Sequence, residues 1–148
     1  MTLPLILKAS AALENANLVA LGISHAYVNP PEAIMDFPVA IRYAVAPDEM
    51  SASRLMGRYN VFNFNIEVHF ARGVLQESYA NALACILPYQ DLYAGNLSIS
   101  GFCDVSGFRA PPFDGPMELR MKDGAPVTVG IVFHMWAKEI LDDITVAL

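Results

Sequence analysis

Tyr59–Ala71, YNVFNFNIEVHFA, is a two-faced segment. Side chains in an extended strand alternate between faces. Phe62, Phe64, Ile66, Val68 and Phe70 therefore share one side, and Asn63, Asn65, Glu67, His69 and Ala71 share the other. The pattern predicts a strand about twice the usual length, in a sheet with one greasy and one polar face. A strand of that length in a small domain points to a sheet reaching beyond one core.

Two further segments repeat the alternation. Phe37, Val39, Ile41, Tyr43 and Val45 share a face, with Arg42 opposite. Pro38 near the start places this strand at an edge or a beginning. Val127, Val129, Ile131, Phe133 and Met135 form a third stripe, backed by Thr128, Val132, His134 and Trp136. Shorter strands are expected at Ile23–Val28 and, from the alternation of Leu97, Ile99, Gly101, Cys103 and Val105, at Leu97–Val105.

Helical spacing appears twice. Leu5, Ile6, Ala9, Ala12, Leu13, Ala16 and Ala20 define a helix over Thr2–Leu21, with Thr2 as cap, Pro4 in the first turn and Gly22 as stop. Val74, Leu75, Tyr79, Ala82, Leu83, Ile86 and Leu87 define a second over Val74–Leu87, halted by Pro88. The expected fold is α+β: a mainly antiparallel sheet of four or five strands, with two helices packed on one face. Residues 1–148 read as a single domain. Long loops are expected near 47–58 and 106–126, the second rich in Gly and Pro, and a C-terminal tail at 138–148.

Composition narrows the class. Hydrophobic residues make up 55% of the chain and charged ones 16%, against a usual charged share of about 25%. Mean hydropathy is +0.38. No run approaches the roughly 20 apolar residues of a spanning helix, so no membrane association is expected. Met1–Gly22 has no basic start, and Lys8, Glu14, Asn15 and Asn17 interrupt its apolar run, unlike a secretory leader. Cys85 and Cys103 fall in no metal-ligand or redox spacing and read as free thiols. The sequon Asn96-Leu97-Ser98 is taken as chance in that context. What explains the apolar surplus is burial against other subunits. A formal charge of −6 argues against direct electrostatic binding of nucleic acid.

The familiar catalytic and nucleotide-binding motifs are absent from the sequence. His69 and His134 lie on the polar faces of two strands; if those strands pair, the imidazoles approach each other and Glu67. Hydrogen-bonded histidines on a half-buried sheet face are the expectation, because a metal site needs three or four ligands. Asp36, Asp48, Glu49, Glu77, Asp91, Asp104, Asp114 and Glu118 are scattered, and spacing pairs none of them. No catalytic residue, metal ligand or cofactor is assigned. Met50, Met56, Met117, Met121 and Met135 cluster around the two expected loops, with core filling the alternative for Met135, and Phe102, Phe108 and Phe113 cluster around the second loop. Flexible thioethers and exposed apolar loops suit contact surfaces. The assigned subunit or partner contacts are Arg54, Leu55, Met56 and Arg58 in the first loop, and Phe108, Arg109, Phe113 and Met117 in the second.

The order of elements resembles the tail-terminator proteins of long-tailed bacteriophages. The likeness lies in the N-terminal amphipathic helix (Leu3–Leu21), the strand opening Asp36-Phe37-Pro38-Val39-Ala40, and the long strand Phe62–Phe70, FNFNIEVHF. It continues through the helix Glu77–Leu87 and the closing strand Val127–Met135, and so covers most of the chain. The resemblance implies a structural virion subunit of the tail or neck, assembled in the host cytoplasm, and no enzyme. It implies a homo-oligomeric, hexameric ring that ends tail-tube growth, contacting the tail tube protein and a head-side connector or stopper protein. DNA would pass through an acidic lumen without specific binding. The alternatives are a hotdog-like or other α+β ligand-binding or enzyme domain, with His69 or His134 in an apolar pocket, and a peptide-binding adaptor that uses a sheet edge.

Overall fold

A computed structural model describes residues 3–31, 36–45, 59–121 and 124–140. The elements run α1 (Leu3–Asn15), α2 (Leu18–Leu21), β1 (His25–Tyr27), β2 (Val39–Val45), β3 (Tyr59–Ala71), α3 (Leu75–Ala84), α4 (Ile86–Ala94), β4 (Val105–Arg120) and β5 (Val127–Ile140). The strands form one five-stranded sheet in the order β1-β2-β3-β5-β4. β1 pairs parallel with β2, and the other pairings are antiparallel. The α+β expectation therefore holds.

The long strand of the sequence pattern is β3, 13 residues paired along its whole length with β5. Phe64, Ile66, Val68 and Phe70 of β3 join Val129, Ile131, Phe133 and Met135 of β5 in the core beneath the helices. Alternation puts the β3 side chains on that face, and the register Ile66↔Phe133 puts the β5 side chains there too. β2 inverts the expectation. The pairing Arg42↔Ile66 turns Ala40 and Arg42 toward the helices, and Val39 and Ile41 lie buried on the opposite side of the sheet with His69 and Glu67.

The first helix is shorter than its sequence pattern. It ends at Asn15, where Asn17 Nδ2 donates to the Leu13 carbonyl at 2.8 Å and meets an acceptor that the next turn would have used. A second short helix follows and stops at Gly22, whose φ of +73° suits the left-handed cap. The buried stripe of α1 is Ile6, Leu7, Ser10 and Glu14, while Leu5 is half exposed.

The second helix continues past its expected stop. The chain kinks at Cys85, and α4 begins again with Pro88 in its first turn, where a missing N–H costs nothing. No strand forms over Leu97–Asp104, and Val105 opens β4 instead. Residues 97–103 are a compact turn, with Ile99, Ser100 and Gly101 at φ 48°, 57° and 85° and Ile99 wholly buried. Its apolar alternation reflects separate anchors rather than a pleat.

The expected loop at 106–126 is mostly the 16-residue strand β4. Its glycines and prolines mark irregularities in the ladder with β5. The register jumps between Phe108 and Phe113 and again between Asp114 and Met117. β5 likewise extends to Ile140, so the expected tail begins later than Lys138. The loop near 47–58, the cap at Thr2 and residues 141–148 lie outside the described residues.

Candidate functional site

A buried ionic network stands out in the core under the helices. Arg42 and Glu14 have no side-chain exposure. Arg42 Nη2 donates to Glu14 Oε1 at 2.7 Å and Nη1 to Oε2 at 3.1 Å. Nη1 also donates to Ser10 Oγ at 2.6 Å, and Nε to the Tyr27 carbonyl at 3.1 Å. From α4, Tyr89 donates to Glu14 Oε1 at 2.8 Å and Tyr93 donates to Oε2. The carboxylate thus accepts from four donors, and the guanidinium is almost fully used. Burial is the largest single influence on Arg42 and would lower its pKa, but Glu14, Tyr93 and Tyr89 together outweigh it and the net direction is up. Burial, then the Glu14 charge, pushes both tyrosines well above their ordinary range.

This network ties α1, β1, β2 and α4 together. It is closed to solvent, so it sets their register rather than meeting a ligand. Sequence reasoning set Arg42 apart as the odd residue on β2 but found no partner for it. The signal was the helical spacing 7, 10, 14 on α1, which carries Ser10 and Glu14 along the buried stripe.

The opposite face of the sheet carries two histidine clusters. β3 and β5 do pair, but His69 stands opposite Gly130 and His134 opposite Asn65. Four residues along β3 separate them by about 13 Å. His69 is fully buried, with Nδ1 2.5 Å from Thr128 Oγ1 and Nε2 3.0 Å from Glu67 Oε1. His134 meets Asn65 Oδ1 through Nδ1 at 3.0 Å and Asp114 Oδ2 through Nε2 at 2.7 Å. Arg109 Nη2 donates to the same Asn65 oxygen at 2.6 Å, while Arg109 Nε is buried with no hydrogen-bond partner among the described residues. Each imidazole is committed on both nitrogens within the chain. No group of three or more His, Cys, Asp or Glu among the described residues is arranged to hold a metal ion.

Grooves lie on the other side, along the helix layer. One, of about 310 Å³, runs between α2 and the α3–α4 kink and is lined by residues including Val19, Leu21, Phe70, Ala84, Cys85 and Pro88. A neighbouring groove shares Leu21 and Pro88 and adds Asp91 and Leu92. Val19, which lines the first, is 98% exposed, and Leu83 and Leu87 stand exposed elsewhere on α3 and α4, at 55% and 64%. A third groove, at Tyr93, Leu97, Phe108 and Pro112, is almost entirely apolar. No histidine lines any of these three grooves, whereas the hotdog-like alternative needs one in an apolar pocket.

The contact residues expected from sequence are scattered. Arg54, Leu55, Met56 and Arg58 lie outside the described residues. Phe108 and Phe113 pack their rings about 6 Å from Phe133, against the chain's own core, and Arg109 is bound to Asn65. Met117 is half-buried on β4, opposite Gly130. Of the three phenylalanines in and beside the expected second loop, Phe102 is exposed and the other two are half-buried. The apolar surface of α2, α3 and α4 was missed because Leu83 and Leu87 belong to the same stripe as buried Ala82. Within α3 one residue step, about 100° of rotation, takes the chain from buried Ala82 to exposed Leu83. No protein-family model matches the chain, and no curated protein matches it.

Proposed function

We propose that the chain is a structural subunit of a homo-oligomeric ring, of the kind that caps the tail tube of a long-tailed bacteriophage and joins it to a head-side connector. The observation that carries the assembly reading is an apolar, nearly charge-free helix surface on a chain whose sheet edges are both obstructed. At the β1 edge, the Asn15 side chain takes up both outward groups of Ala26: its Nδ2 donates to the carbonyl at 3.0 Å, and its Oδ1 accepts from the N–H at 2.9 Å. At the other edge, Pro111, Pro112 and Pro116 remove donors from β4, and the ladder breaks beside them. Edge-to-edge strand addition is thereby disfavoured, and so is the peptide-adaptor alternative.

Identical subunits of charge −6 meet most cheaply where charge is sparse. From Asn15 to Pro31 the sequence has no Asp, Glu, Lys or Arg, and from Ser78 to Gln90 it again has none. Both stretches supply residues to the groove lined by Val19, Leu21, Ala84, Cys85 and Pro88, and Leu83 and Leu87 stand exposed within the second stretch. Placement in a virion rests on the resemblance in element order, which the sheet order and one-sided helix layer are compatible with. Negative-stain images of the purified chain test it: closed rings of uniform diameter are expected, and open fibres or single globules count against it.

A further inference from the structure

We propose that His134 is a proton-dependent clasp that holds the irregular segment of β4 onto the sheet. Asn65 stands between Arg109 and His134. Its side-chain oxygen accepts from Arg109 Nη2 at 2.6 Å, and this fixes the amide orientation, since an NH2 group there would face a guanidinium donor. The same oxygen lies 3.0 Å from His134 Nδ1. An amide oxygen offers only lone pairs, so this contact is a hydrogen bond only when Nδ1 carries a proton. On the far side of the ring, Nε2 lies 2.7 Å from the Asp114 carboxylate, which also only accepts. The two contacts are both hydrogen bonds only when both ring nitrogens donate, that is, when the ring is an imidazolium.

The placement gives that proton a mechanical consequence. Arg109 and Asp114 flank the first register break of β4, between Phe108 and Phe113, and His134 sits on β5 beneath them. Through Asn65 and Asp114 the ring draws both ends of the break toward β3 and β5. Loss of one proton turns a lone pair toward either the amide oxygen or the carboxylate, and one end of the break is released.

Other groups bear on the balance. Arg109 Nη2, also on β4, stands 3.4 Å from Nδ1 and opposes the positive ring, while Asp114 favours it. On β3, Glu67 shares the face but is engaged with His69. On β2, Tyr43 is the register partner of Asn65, and its hydroxyl donates to the Met121 carbonyl at 3.4 Å. The clasp stands whether or not the chain forms a ring.

Hydrogen exchange across residues 108–117, corrected for intrinsic rates, tests it, together with imidazole ¹⁵N shifts. From the acidic to the alkaline end of a pH series, wild-type protection over this segment is expected to fall roughly tenfold, the size of one lost charge-assisted hydrogen bond. The ¹⁵N shifts should show both nitrogens protonated at the lower pH. His134→Phe should abolish the pH step, with His134→Gln as the second variant if the phenylalanine form does not fold. Asp114→Asn should move the step to lower pH. Flat protection in the wild type, a singly protonated ring at the lower pH, or a step that survives in both His134 variants overturns the proposal.

Discussion

Arg42 of β2 and Glu14 of α1 form a doubly hydrogen-bonded ion pair with no solvent exposure, at 2.7 and 3.1 Å. Taking two charges out of water is costly, and the pair is retained only because Ser10, Tyr27, Tyr89 and Tyr93 satisfy what the two charges leave over. Glu14→Ala leaves a buried guanidinium without a counter-charge. It should lower stability by about 3–5 kcal/mol in urea denaturation. The double change Glu14→Leu with Arg42→Met should cost less than the single change, because no orphan charge remains. A double variant weaker than the single would show that the pair adds net stability.

The two tyrosines of this network give an alkaline signature. Burial and the Glu14 charge raise Tyr89 and Tyr93 well above the ordinary value of about 10. Burial also pushes Tyr43 up to about 12. Raised pKa values mean the folded chain holds these protons after the unfolded chain has released them. Stability from these groups is therefore intact below about pH 10 and falls as pH climbs toward the folded values. Absorbance at the tyrosinate band should show Tyr89 and Tyr93 ionising only as near-ultraviolet circular dichroism is lost. Their ionisation with the dichroism intact would contradict the buried network.

Cys85 lines the groove beside α2 yet is nearly buried, and burial pushes its thiol up to about 12. The thiolate is the reactive form, so labelling by a disulfide reagent at mildly alkaline pH should be slow in the folded chain. Cys103, pushed up to about 11 by burial and by Asp104, should behave likewise. Both should react at once in denaturant. Rapid labelling of either in the native chain would refute the packing around it.

Gly130 marks the tightest approach in the sheet. A Cβ there would lie 2.1 Å from the Val68 carbonyl oxygen and 2.8 Å from Leu119 Cδ1. Gly130→Ala should cost about 3 kcal/mol, because backbone rather than a flexible side chain must yield. Gly73→Ala meets nothing within 4 Å and should stay within about 0.5 kcal/mol of wild type. Equal midpoints for the two variants in thermal melts would remove this account of the β3–β5 contact.

The legible parts of the fold share a physical cause. Period-two alternation in Tyr59–Ala71 and Val127–Met135 follows from one buried and one polar face, and β3 and β5 appear where it runs. β4 was hidden because Gly107, Pro111, Pro112, Gly115 and Pro116 signal a loop when read locally. Pairing with β5 overrides that signal and confines it to two register breaks. The helix beginning at Leu75 continues past Pro88 because a bend at Cys85 lets the proline occupy a first turn. The histidine clusters were half visible: the shared face followed from alternation, but Asp114 and Arg109 reach His134 only because β4 departs from regular register. The Arg42–Glu14 pair spans 28 residues and two element types, a separation at which local spacing carries no information.

Sedimentation velocity at micromolar concentrations tests the central claim of self-assembly through the helix surface. The wild-type chain should sediment as one closed oligomer near hexamer size, and Leu83→Asp with Leu87→Asp should give a folded monomer. A wild-type chain that remains monomeric, indistinguishable from that variant, would contradict the claim.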